Sequence, residues 1–131
     1  MAVAVPSNGI GNGSVDDAGR DRGESRMIMA IMQRGKADRP IKAALKAGAS
    51  SAVAFFGRGL GIRERLGLLG LAVQPEKEVV MIVVPEHLTD IVVRAMVRAG
   101  NLDQPGVGFL FVMPVEEVVG LAGVEQLSQS A

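Results

Sequence analysis

The chain has 131 residues, with 14 basic and 14 acidic side chains, a single His and no Cys, Trp or Tyr. That length fits one domain, able to bury a core with little surplus. Zero formal net charge argues against a general nucleic-acid binder, whose phosphate contacts need a basic excess, and the missing Cys excludes a disulfide scaffold, a thiolate metal site and cysteine catalysis.

Apolar residues make up 48% of the chain and charged ones 21%, which excludes wholesale disorder. With His87 as the only His, one chain cannot build a multi-His metal site, and a Ser-His-Asp hydrolase would have to use His87. No run of about 20 apolar residues is present, so no membrane span is expected. Met1 to Pro6 lacks the basic start and apolar core of a signal peptide, which points to a cytoplasmic protein.

Residues 1–26 read as a flexible N-terminal extension: Ser7 to Ser14 is rich in Gly, Asn and Ser, and Asp16 to Arg26 is dense in mixed charge. Met27 to Met32 is an apolar run of strand length. Asp38 and Pro40 signal a helix start, Ile41, Ala44 and Leu45 share a face, and Gly48 closes a helix of roughly 39–47. Ser51 to Phe56 is a weaker strand. The connection over 57–76 is too rich in Gly for a regular helix, and connections this long are usually functional or mobile.

Glu78 to Val84, stopped by Pro85, is the clearest strand, and Glu86 to Ala99 the clearest helix. In that helix Leu88, Ile91, Val92, Ala95, Met96 and Ala99 form one apolar stripe, with Asp90 and Arg94 placed to pair on the wet side. A Gly/Pro turn region over Asn101 to Gly108 leads to a last strand, Phe109 to Met113, closed by Pro114. Glu116 to Val119 could form a short helix before a C-terminal tail over 120–131. Strand, helix, strand, long loop, strand, helix, strand is the βαββαβ pattern of an α+β, ferredoxin-like fold: an antiparallel sheet with both helices on one face.

Two helices cover one sheet face, so the strands of a monomer should alternate apolar and polar. Instead Met27 to Met32, Val79 to Val84 and Phe109 to Met113 are apolar at every position. The second face is therefore expected to pack against other copies of the chain, the alternative being cover by the loop or the tails.

Several residues are candidates for chemistry. Gly57-Arg58-Gly59-Leu60-Gly61 offers bare amides and a cation suited to an anion or phosphate, although Gly-x-Gly equally marks a tight turn. Arg63 and Arg65 flank Glu64 in what is either a solvated charge run or part of a mildly cationic loop for an anionic ligand or acidic partner. Leu66, Leu68, Leu69 and Leu71 would dock on a partner or pack on a neighbouring subunit. Lys77 is an anion ligand or an ordinary edge Lys. Gly106 and Gly108 could let amides approach a phosphate, without a Walker sequence. His87 reads as a surface His, and no carboxylate pair has spacing suited to acid–base catalysis, so a binder is expected rather than an enzyme.

Three segments together resemble the PII signalling family: Phe56-Gly57-Arg58-Gly59, the run from Pro75-Glu76-Lys77 to Val84, and Gly106-Val107-Gly108-Phe109-Leu110-Phe111-Val112-Met113-Pro114-Val115-Glu116-Glu117. The last is similar to the family's Gly-x-Gly-x-Ile-Phe-Val-x-Pro-Val-Glu-Glu run, and the whole match spans 27–119. The resemblance implies a homotrimer with adenine nucleotide in clefts between subunits, a small anion near the base of the long loop, and a loop that docks on a transporter or enzyme. It assigns nucleotide binding to Gly57, Arg58, Gly59, Met81, Ile82, Val83, Gly100, Asn101, Leu102, Gly106, Val107 and Gly108, and anion binding to Arg58, Gly59 and Lys77. The partner loop would be carried by Arg63, Arg65, Leu68 and Leu69.

The chain also departs from that pattern. It has no Tyr for uridylylation, and Gly59 stands where the family's Mg- and 2-oxoglutarate-binding Gln is expected. Phe109 replaces a phosphate-binding Lys, and Gly120 to Ala131 lacks the family's Arg pair, so ADP or AMP is expected to bind in preference to ATP. A divergent branch, associated with carboxysomes or transporters and in part responsive to bicarbonate, has a similarly short Gly/Arg-rich loop. Two other classes stand beside this one: a structural interaction module with empty pockets, and a small nucleotide or acyl-phosphate hydrolase on the same fold.

Overall fold

The computed structural model describes residues 20–59 and 76–121. Among these, the elements run β1 (Arg20–Gln33), α1 (Asp38–Lys46), β2 (Val53–Arg58), β3 (Glu76–Pro85), α2 (Glu86–Gly100) and β4 (Gly108–Val119). The strands form one antiparallel sheet in the order β2-β3-β1-β4. β2 therefore runs in the same direction as β1 across β3, and β4 in the same direction as β3 across β1. Two interlocked split crossovers of this kind make the ferredoxin-like α+β fold.

Register sorts each strand's side chains onto two faces. Ile28 pairs with Ile82 and Ala30 with Val80, and these residues are fully buried together with Met32 and Val84. Val92 and Met96 of α2 and Pro40 and Ala44 of α1 are buried with them, which puts the core between this face and the helices. The other face presents Met27, Met29 and Ile31 of β1 and Val79, Met81 and Val83 of β3, all only half-buried. Val53 and Phe55 of β2, and Phe109 and Phe111 of β4, share that face and are exposed.

α2 ends where Asn101 turns left-handed (φ 51°), and the Asn101 and Leu102 amides both donate to the Val97 carbonyl. α1 packs its start on that end: a Cβ at Gly100 would sit 2.9 Å from Pro40 Cγ. Arg94 does not pair with the Asp90 carboxylate; its Nε donates to the Asp90 backbone carbonyl at 3.4 Å.

Several boundaries differ from the sequence expectation: β2 runs Val53–Arg58 rather than 51–56, β4 continues through Pro114 instead of closing there, and two segments change type. β1 begins at Arg20, so residues 20–26 of the expected extension are strand rather than tail. Glu116–Val119 are not a short helix but the end of β4, where Glu117, Val118 and Val119 pair with Arg22, Asp21 and Arg20. Each segment makes the other a strand; neither carries enough apolar alternation to announce itself. A bulge between Arg22 and Ser25, with Gly23 at φ 82°, absorbs a register shift in this ladder. Pro114 fits inside β4 because β4 is an edge strand. Among the described residues, no helix is long and apolar enough to cross a membrane.

Candidate functional site

The chemistry-bearing residues gather at one end of the sheet, where β1 and β2 finish and β3 and β4 begin. Met32 pairs with Gly108, Gln33 with Lys77, Gly57 with Lys77 and Arg58 with Glu76. The two glycine segments singled out in the sequence thus share an end but leave from opposite edges, Gly57–Gly59 from β2 and Gly106–Gly108 into β4.

Strand alternation divides the expected anion site. Gly57 lies in register with Lys77, and Arg58 with Glu76, one residue on. Lys77 and Arg58 therefore stand on opposite faces of the β2–β3 ladder. Lys77 packs against the loop base, since a Cβ at Gly59 would lie 3.6 Å from Lys77 Cγ. Arg58 joins a different group on the face where the helices lie.

That group includes a residue the sequence reading passed over. Arg34, in the turn just beyond β1, places its guanidinium over the Phe56 ring, 5.0 Å from the centroid, and Arg34 Nη1 donates to Glu76 Oε2 in an ion pair. The Arg34 amide donates to the Glu76 carbonyl at 3.4 Å, and the Gly35 amide donates to the Glu78 carboxylate. The turn after β1 is thus tied by backbone and side chain to the first residues of β3. Arg34, Phe56, Gly57, Arg58 and Glu76 line a cleft of about 240 Å³ at this corner. The signal available in the sequence was the β1–β3 register: once Ile28 is opposite Ile82, Arg34 lies beside Glu76.

The remaining expected nucleotide residues fall into two groups. Met81 and Val83 lie half-buried on the helix-free face, whereas Ile82 is 1% exposed and belongs to the core. Leu102 is buried and Val107 packs against the same cluster. Gly108 has a packing reason to be glycine, because a Cβ there would come within 2.4 Å of the Ile31 carbonyl oxygen. Gly106 takes φ 78°, a turn conformation that disfavours any side chain. Asn101 is exposed as the left-handed cap of α2. Arg63, Arg65, Leu68 and Leu69 lie outside the described residues. His87 is exposed in the first turn of α2.

No protein-family model and no curated protein matches the chain. Among solved structures it is similar to PII from Arabidopsis thaliana, in a crystal structure with citrate bound. The identity is 21% and the TM-score 0.58, covering 79% of this chain and 92% of that one. Similarity at that identity establishes a PII-like fold.

Proposed function

We propose that this chain is a homotrimeric, ligand-responsive regulator of the PII type. It binds an adenine nucleotide in clefts between subunits, binds a small anion such as bicarbonate at the loop base, and acts on a transporter or enzyme through the connection between β2 and β3. The observation that carries this reading is the helix-free sheet face. Each of its large apolar side chains is worth about 1.5–3 kcal/mol when fully buried, and a continuous patch of them marks an interface. Val53, Phe55, Phe109 and Phe111 are 57%, 45%, 55% and 37% exposed in one copy. Sedimentation of the purified chain tests it: a species of three chains is expected, and a stable lone chain at working concentration removes the inter-subunit clefts and the reading with them.

Ligand preference follows from charge. Phe109, second in β4, offers no charge, and Gly120 to Ala131 contains no basic residue, so a third phosphate would find fewer charge-assisted contacts of about 1.5–3 kcal/mol each. ADP or AMP is preferred to ATP, and calorimetry with the three nucleotides would refute this by finding ATP–Mg much the tightest. The anion is held by Lys77 with the amides near Gly57 and Gly59. Titrating nucleotide with and without bicarbonate should reveal coupling between the two ligands, and independent binding would remove the bicarbonate assignment. The citrate in the similar structure belongs to that protein, and it supports only the idea that this fold accommodates small anions.

A second reading has its own support. Gly100, Leu102 and Gly108 each have a packing role that needs no ligand, which favours an interaction module with empty clefts. A ligand that binds the native state raises its melting temperature by mass action. No shift with ADP, AMP or ATP would favour the module.

A further inference from the structure

We infer that Met27, Met29 and Met113 form an oxidation site: on the unassembled chain a peroxide converts their thioethers to sulfoxides, and the oxidised face no longer packs against other copies. The inference rests on the reading of the helix-free face as the interface between subunits. The chain has seven Met and no Cys, Trp or Tyr, so thioethers are its chief oxidisable groups. Burial sorts them. Met32 and Met96 lie in the core, 2% and 0% exposed. Met27, Met29 and Met113 lie half-buried on the helix-free face, with Met81 beside them. Register makes them one patch: Met27 stands opposite Met113 on β4, Met29 follows two residues along β1, and Met81 stands opposite Met29 on β3. Met81 also belongs to the strand assigned to nucleotide binding, so the site is argued on the other three.

The neighbours decide what a sulfoxide does there. Met27 lies between Val83 and Met113, and Met29 between Met81 and Phe111. None of these side chains offers an N–H or O–H. A thioether suits such a surface, being apolar, polarisable and flexible enough to fill irregular gaps. In the reaction a sulfur lone pair takes one oxygen of hydrogen peroxide. The S–O bond forms, the O–O bond breaks, the sulfur is oxidised by two electrons, and the rest of the peroxide leaves as water. The new oxygen is a strong acceptor, and each one sealed between copies without a donor lowers the association constant about tenfold. Copies closed over the face shield the thioethers, so the reaction belongs to newly made or dissociated chains. Oxidation thus holds separate chains apart while assembled ones are protected, and reduction of the sulfoxides reverses it.

Peroxide treatment of the full chain tests the site, with peptide mass spectrometry reading each Met and sedimentation reading assembly. The chain is treated at low and at high protein concentration. A variant carrying Met27→Leu, Met29→Leu, Met81→Leu and Met113→Leu, swaps that keep volume and apolarity, is treated alongside. Met81 is included so that its own sulfoxide does not blur the comparison. In dilute wild type, Met27, Met29 and Met113 should gain oxygen several-fold faster than Met32 and Met96, and more slowly at high concentration. The oxidised chain should need at least about tenfold more protein to assemble. Methionine sulfoxide reductases for both epimers should restore assembly, a recovery that irreversible misfolding cannot mimic. The Leu variant should assemble equally before and after peroxide. Equally fast oxidation of the core pair, unchanged assembly of wild type carrying the face sulfoxides, no recovery with the reductases, or the same loss in the Leu variant would overturn the site and leave the trimer standing. An untreated wild type that sediments as a lone chain would instead remove the trimer, and the site with it.

Discussion

The two faces of the sheet are built from the same strands and nearly the same residue types, yet they have opposite fates. On one face, Ile28, Ala30, Met32, Val80, Ile82 and Val84 are sealed beneath the helices. On the other, one residue along each strand, Met27, Met29, Ile31, Val79, Met81 and Val83 have, among the described residues, only their sheet neighbours for cover. Composition does not separate these sets; position relative to the crossovers does. Both β-α crossovers deposit their helices on the same side, so any apolar residue at the alternate positions needs cover from outside the described sheet and helices.

Adjacent residues of β3 give the strongest way to break this comparison. Ile82→Ala should cost about 2–5 kcal/mol in urea unfolding, because its side chain is removed from a closed core. Met81→Asp, one residue away, should keep the far-UV signal of the fold but sediment as a lone chain, since it charges the face assigned to other copies. Equal unfolding by both substitutions would mean that a single copy closes both faces. Retention of the oligomer by Met81→Asp would mean that the helix-free face is not the interface.

Glycines sharpen the same distinction at the candidate site, with a smaller effect. Gly108→Ala puts a Cβ within 2.4 Å of the Ile31 carbonyl, a backbone atom that cannot swing away, so a loss of about 1–3 kcal/mol is expected. Gly57→Ala meets only Val79 Cγ2 at 3.8 Å, an ordinary contact, and its stability should stay within about 0.5 kcal/mol of wild type. Nucleotide affinity lost by Gly57→Ala at unchanged melting temperature would then belong to the site and not to the fold. Comparable destabilisation by the two substitutions would contradict the packing described at Gly108.

What could be read from sequence follows where local pattern and tertiary context agree. β3 and α2 were legible nearly to the residue, because an unbroken apolar run before Pro85 and a helical stripe ended by Asn101 leave little choice. The first half of β1 and the last third of β4 were not legible. Arg20 to Glu24 looks like a charged tail and Glu116 to Val119 like a helical turn, and only their mutual pairing makes them strands. At the site, Gly57, Arg58 and Lys77 could be singled out by residue type. Their division between faces, and the Arg34–Glu76 pair, exist only once three strands are in register. Arg34 gave no local signal because its partners are 22 and 42 positions along the chain, as the Phe56 ring contact and the Glu76 bond show.

The paired arm of β1 and β4 is a third environment, and it carries the smallest predicted effect. β3 ends at Pro85 opposite Ser25, so from Arg22 back to Arg20 the only strand beside β1 among the described residues is β4. Arg26 secures the root of this arm. Its Nη1 donates to the carbonyls of Gly23, at the bulge, and of Ser25 at 3.2 and 3.0 Å, and its Nη2 reaches Glu86 Oε1 at 3.0 Å. Glu86→Gln removes only the ion pair, whose Glu side chain is 63% exposed, so a change of at most about 1 kcal/mol, shrinking with added salt, is expected. Arg26→Gln also releases the two carbonyls and should cost more than Glu86→Gln, with faster amide exchange along Glu117 to Val119 while β3 exchange is unchanged. Equal costs for the two substitutions would show that the arginine acts through its charge alone. Unchanged exchange in the arm would show that the strand pairing holds the bulge without it.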